Sequence, residues 1–312
     1  MAAMAAATGE RIKFLMMVSY YGRGFVGWQR QMCKSKDGQQ HVSVQEVIEG
    51  AVTSLFRPHE HVNVTSVSRT DSGTHALQQY CTFVLESGDK TGSTNDMLEA
   101  LNAALPNTIR AQTLSVMDPL AARRRTKSKC KKYVYYIEQG PRPSQDALHY
   151  SWFIGKHLSL PAIRQALNYI TGTHDFRSFS MGLQKDAFVD FNTTRTIMAC
   201  NVVPRRNVDF SLDLKLAGSG DVIDDPIDKS SNYFVCIEIT GNGFLRHMVR
   251  RIIGTLRPIG EGRLPPESML EVLHGRREPG PSVPSRGLWL HQSWMTQDTP
   301  SEDSDSSNDD DQ

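Results

Sequence analysis

Ser68-Arg69-Thr70-Asp71-Ser72-Gly73-Thr74-His75-Ala76 is the stretch around which the chain is organised. It follows Val62-Asn63-Val64-Thr65-Ser66-Val67, where valines alternate with polar residues as in a half-buried strand. A second β-rich run, Tyr80-Cys81-Thr82-Phe83-Val84-Leu85, comes after it. The pattern predicts strand, loop, strand, and such a loop is where a rigid sheet displays reactive groups. This loop displays an arginine and a carboxylate two residues apart, then a glycine that permits a tight turn. Read alone, it fits an ordinary Asp-Ser-Gly hairpin turn equally well.

Upstream, residues 11–19 read as a first strand, and Tyr20-Tyr21-Gly22-Arg23-Gly24-Phe25-Val26-Gly27-Trp28-Gln29-Arg30-Gln31 follows. Its glycines allow the backbone to approach a ligand closely, and Arg23, Trp28 and Arg30 offer planes suited to stacking on nucleobases. A glycine-rich turn with a core tryptophan is the competing reading. No Gly-Lys-Ser/Thr follows, so it is not a P-loop. Ser43 with Glu46 has capping-box form, and Val44, Val47, Ile48, Ala51 and Leu55 continue at helical spacing. Downstream, a helix over 95–105 ends at Pro106, and a strand covers 109–116. The order strand–helix–strand–strand–helix–strand predicts an α+β fold with helices on one face of an antiparallel sheet.

Seven positive charges then fall within residues 123–132, among them Arg123, Arg124, Arg125, Lys127, Lys131 and Lys132, directly before the strand Tyr133-Val134-Tyr135-Tyr136-Ile137. A charge run is usually a solvated face. Its junction with an aromatic strand favours a groove that tracks an RNA backbone beside a stacking platform. A helix is expected over 158–170, a strand region from Arg195 to Leu214, an acidic loop insertion over 218–231 and a strand over 233–240. The string 241–256 turns into a helix with Leu245, Met248, Val249, Ile252 and Ile253 on its apolar face. Arg246 and Arg250, four apart, share another face and call for an anion. A short helix within 265–273 and a closing strand over 285–290 complete the chain. His174-Asp175 could suggest a metal pair, but no second histidine stands at matching spacing, and a turn hydrogen bond suits His174 better.

At 312 residues the chain fits one large domain or two moderate ones, and no apolar run is long enough to span a membrane. The start lacks the basic flank of a secretory leader. Five scattered cysteines without Cys-x-x-Cys spacing point to an intracellular, reduced protein; the cytoplasm is the economical compartment, with mitochondrion and nucleus left open. The net charge of +1 hides a segregation, because removing the seven acids of residues 298–312 leaves a body of +8. A basic body favours a polyanionic partner, and the acidic tail, 297–312, reads as disordered.

Taken together these strings resemble the TruA-type tRNA pseudouridine synthases: YYGRGFVGWQRQ (20–31), SVQ (43–45), SRTDSGTHA (68–76), ALNAALPNTIR (100–110), KKYVYYI (131–137), GTHDFRSF (172–179), TRTI (194–197) and GNGFLRHMVRRIIGTL (241–256). Eight in family order exclude chance. The departures are modest: Ser72 and Thr74 stand where Ala and Val are common, and Trp289 where Tyr is frequent. The resemblance implies Asp71 as the catalytic aspartate, Tyr133 as the active-site tyrosine and Arg250 as the arginine paired with the aspartate. Arg69 would help displace the target base. It also implies two α/β subdomains, 11–117 and 118–296, whose mainly antiparallel sheets join into one, with a basic cleft between them and a flexible N-terminus over 1–10. The partner would be tRNA, in the anticodon stem-loop, with monomer or homodimer left open.

That reaction breaks a nitrogen–carbon glycosidic bond and rejoins the base through carbon 5, with no atoms gained or lost, so neither a redox cofactor nor a metal is expected. It needs an ionised carboxylate at the ribose, and an arginine beside a buried carboxylate favours the charged form. A non-catalytic tRNA-binding protein of the same fold is the alternative, and a hydrolase using His174-Asp175 a distant third.

Overall fold

The computed structural model describes residues 10–31, 42–57, 60–89, 92–183, 191–224 and 230–296. The expected flexible N-terminus, save Glu10, and the acidic tail lie outside the described residues. The chain opens with strand β1 (Arg11–Tyr20), helix α1 (Val44–Phe56), strands β2 (Thr65–Ser66) and β3 (His75–Glu86), helix α2 (Thr94–Ala104) and strand β4 (Ile109–Val116). It continues with the single turn α3 (Pro119–Ala122), strands β5 (Ser128–Gln139) and β6 (Trp152–Phe153), helix α4 (Leu160–Asn168) and strands β7 (Gly172–Asp175), β8 (Thr194–Arg205) and β9 (Tyr233–Gly241). Helices α5 (Met248–Gly260) and α6 (Ser268–Leu273) and strand β10 (Leu288–Met295) end it.

All ten strands form one mixed, mainly antiparallel sheet in the order β4-β1-β3-β10-β5-β9-β8-β7, with β2 on β3 and β6 on β5. The last strand is the seam. β10 runs parallel to β3 through Trp289↔His75 and Leu290↔Ala76, and antiparallel to β5 through Leu290↔Tyr133. The start of β3 and Tyr133 therefore lie two strand spacings apart, about 10 Å.

Alternation sorts the side chains between two cores. Tyr133, Tyr135 and Ile137 of β5 join the cluster that takes in the buried faces of α1, α2, α4, α5 and α6. Val134 and Tyr136 point the other way, into a smaller cluster with Trp289, Phe234 and Leu77. The expected capping box is present: Glu46 N donates to Ser43 Oγ (3.1 Å) and Ser43 N to Glu46 Oε2 (2.8 Å), worth about 1 kcal/mol.

Two expectations are corrected. The strand over 62–67 shrinks to β2, because helix α1 satisfies the preceding backbone: Val64 N donates to Glu49 Oε1 and Gln45 Nε2 to Val64 O, both at 3.0 Å. The strand expected to reach Leu214 ends at Arg205, where the chain folds back. Residues 218–224 hold no helix or named strand and are tied back to 204–209 through the backbone. Asp209 N bonds Ser219 O (3.0 Å) and Ile223 N bonds Pro204 O (3.1 Å). Residues 225–229 lie outside the described set.

Candidate active site

Asp71 sits in the loop just before β3, and backbone contacts hold that loop. Thr74 N donates to Asp71 O (3.1 Å) across Gly73, whose φ of +74° suits glycine. Tyr20 hydroxyl bonds Thr70 Oγ1 (2.7 Å), and Trp28 N donates to Thr70 O (3.2 Å). Ser72 Oγ donates to Phe25 O (3.1 Å). The glycine-rich loop therefore packs against the Asp71 loop. A Cβ on Gly22 would lie 2.1 Å from Thr74 O, and one on Gly27 2.7 Å from Thr70 O.

Opposite stands the start of α5. Arg250 is nearly buried, and its Nε donates to Val283 O (2.7 Å), which aims the guanidinium so that Nη1 lies 3.8 Å from Asp71 Oδ2. Segment 280–283 can support it because Gly254 admits close backbone contact: a Cβ there would lie 2.0 Å from Pro281 O. The helix starts later than the apolar pattern suggests. His247 is left-handed (φ 60°, ψ 4°), a conformation costing a side chain about 1–3 kcal/mol, so 241–247 is strand end and turn. His247 Nε2 lies 3.6 Å from the same Asp71 oxygen. Burial lowers the His247 pKa, the Asp71 charge opposes this, and Arg250, Arg246 and Arg251 reinforce it.

Tyr133 forms the third wall. It is buried, packs edge-to-face on Phe244 (5.1 Å between ring centres), and its phenol pKa is raised by burial first and by the Asp71 charge second. The hydroxyl is therefore protonated at neutral pH. Together these groups line a cavity of about 990 Å³. Its charged lining is Asp71 against Arg69, Lys131, Arg246 and Arg250, and Phe244, Leu245 and Met248 supply an apolar side. A carboxylate flanked by fixed cations and an aromatic wall, open to solvent, is a setting for chemistry on a planar base attached to an anionic chain.

A family profile described as tRNA pseudouridine synthase matches residues 166–293. The tRNA pseudouridine synthase A of Thermoanaerobacter pseudethanolicus is 31% identical over 280 residues, covering 88% of this chain and 96% of that protein. Its counterpart in Bdellovibrio bacteriovorus is 30% identical over 289 residues (92% and 96%), and that of Chlamydia abortus 29% over 280 (89% of each). The chain belongs to the tRNA pseudouridine synthase A family.

Within this family member, the structure brings Asp71, Tyr133 and Arg250 together, with Arg69, Lys131 and Arg246 around them. Other expected RNA contacts stand elsewhere. Trp28 is 1% exposed and packs on Tyr20 (5.9 Å), so it is a core residue and has no face for a base. Arg30 is held by Glu49 (2.5 Å) and Glu46 (3.8 Å) of α1. Lys132 alternates to the sheet face opposite Tyr133 and faces Glu238 at 4.0 Å. Arg23 is exposed at a second hollow of about 540 Å³ beyond the Asp71 loop, shared with Phe25, His149 and Arg286. Arg123, Arg124, Arg125 and Lys127 are exposed between α3 and β5. They are outside the lining of the large cavity; Arg125 borders an adjacent hollow with Arg11, Lys13 and Arg57.

His174 is no ligand candidate: its Nε2 donates to Thr171 O (3.1 Å). Among the described residues no group of three or more His, Cys, Asp or Glu could hold a metal, and no helix is long and apolar enough to cross a membrane. Sequence reasoning missed His247. It lies in a string with helical apolar spacing, and nothing in that spacing marks the left-handed turn.

Proposed function

We propose that this enzyme isomerises uridine to pseudouridine in tRNA, in the anticodon stem-loop, with Asp71, Tyr133 and Arg250 as the groups that meet the target nucleotide. The observation that carries this reading is the meeting of the Asp71 carboxylate with the Arg250 guanidinium at 3.8 Å beside Tyr133. Asp71 supplies the negative oxygen at the ribose, either by attacking the sugar or by taking a sugar proton; both routes need the ionised form. Arg250 sets a guanidinium against that oxygen (Nη1 to Oδ2, 3.8 Å), a fixed positive charge where the base excludes water. Tyr133 stacks against the uracil. Held protonated by burial, its hydroxyl serves as a hydrogen-bonding partner or proton relay near carbon 5 rather than as a phenolate base.

Reaching a stacked uridine costs a few kcal/mol. Arg69, Lys131 and Arg246 on the cavity wall, with Arg23 and residues 123–127 beyond it, offset this through RNA phosphates. We also read residues 11–117 and 118–296 as two subdomains that grip the stem-loop from either side.

Asp71→Asn tests the reading by keeping the shape and removing the charge. Pseudouridine formation in a single-turnover assay on tRNA should fall on the order of 10³-fold or more, with tRNA affinity within about threefold of wild type. Isomerisation at the wild-type rate would refute the assignment. Tight tRNA binding by the wild-type chain without any isomerisation would favour the non-catalytic reading.

A further inference from the structure

His247 is the one non-glycine residue at positive φ among the described residues, and a backbone outlier beside a reactive group invites a functional explanation. It precedes the first turn of α5 yet makes no side-chain capping bond there. Its imidazole is directed instead at two groups. Nδ1 lies 2.8 Å from Ser282 Oγ, and Nε2 3.6 Å from Asp71 Oδ2.

The chemistry of the partners fixes the tautomer. An ionised carboxylate only accepts, so the ring nitrogen facing it carries the proton. Nδ1 of the neutral ring is then an acceptor, and Ser282 donates to it. The segment that carries Ser282 is tied to α5 on either side of it: Gly280 N donates to Thr255 Oγ1 (2.9 Å) and Arg250 Nε to Val283 O (2.7 Å).

Both basic contacts of Asp71 fall on the same atom. Arg250 Nη1 and His247 Nε2 approach Oδ2 at 3.8 and 3.6 Å. One cation near a carboxylate leaves it freer to rotate than two groups that converge on one oxygen from different backbone positions. We propose that His247 is a positioning residue that, with Arg250, holds Oδ2 of Asp71 and so presents Oδ1 to the ribose. At 3.6 Å the contact is longer than a hydrogen bond, and it closes when the target nucleotide seats. This inference rests on Asp71 being the catalytic carboxylate.

Three variants test it. His247→Asn and His247→Gly both tolerate the left-handed turn and withdraw the imidazole, and Ser282→Ala unties the tautomer. At saturating tRNA, the first two should lose about 10- to 100-fold in single-turnover rate with tRNA Kd within about twofold, and Ser282→Ala should lose several-fold. Added free imidazole should restore part of the rate to His247→Gly and none to Asp71→Asn. A wild-type rate in His247→Gly, or a rate loss that imidazole does not lift and weaker tRNA binding matches, overturns the assignment. Full activity in Asp71→Asn would instead remove the reading on which it stands.

Discussion

Gly22→Ala is a severe perturbation for one methyl group, and the structure says why. The new carbon would lie 2.1 Å from Thr74 O and 2.5 Å from Thr74 C, against backbone that cannot rotate aside. Ordinary contacts begin a little above 3 Å, so the Asp71 loop must retreat by about 1 Å. Overpacking of this kind costs about 1–3 kcal/mol of stability. On the proposed role of Asp71 the catalytic cost is larger, because Thr74 N is bonded to Asp71 O at 3.1 Å and the carboxylate moves with it. A displacement of about 1 Å at a reacting group lowers a rate on the order of 10²-fold. Gly24→Ala is the control. At φ +86° with no atom within 4 Å of the new carbon, it should lose about 1–2 kcal/mol with the rate intact. Single-turnover pseudouridine formation and thermal unfolding on both variants decide the matter. A Gly22→Ala rate within about twofold of wild type would refute the claim that the glycine-rich loop sets the carboxylate.

Burial pushes the His75 and His291 imidazoles down to about 4, with Lys132 and Arg205 adding to the shift at His291. Their folded-state values lie below the unfolded value near 6.5, so the unfolded chain takes up protons first as pH falls; stability is complete above about pH 6.5 and drains away towards pH 4. Each should contribute a loss of about 2–3 kcal/mol by pH 4.5, together a large share of a typical 5–15 kcal/mol, and urea unfolding that is flat between pH 7.5 and 4.5 would contradict this. Arg246→Ala should weaken tRNA binding and reduce the slope of log affinity against log salt by about 1. Trp28→Phe should leave that slope unchanged and cost about 1–3 kcal/mol in unfolding, since the side chain is buried rather than on the RNA face; a changed slope would restore it as an RNA contact.

Much of the site was legible in the residues. The Arg-Thr-Asp string, the aromatic strand at Tyr133 and the arginine of the late helix are each local patterns, and local patterns survive without coordinates. The capping box at Ser43 and the α+β order of elements belong to the same class. Trp28 and Lys132 show the limit. Composition makes each an apt RNA contact, yet burial of one and the strand parity of the other remove them from the cavity.

What the sequence by itself determined is which chemical groups are available and the type of most elements, because periodicity and propensity act over a few residues. Only the tertiary structure decided who meets whom. Asp71 and Arg250 are neighbours because β10 returns to join β3 to β5, a pairing of distant segments that no local period encodes. The left-handed turn at His247 has the same origin: packing of 280–283 against α5, not the residue's own preference, stabilises a conformation that its neighbours in sequence would not choose.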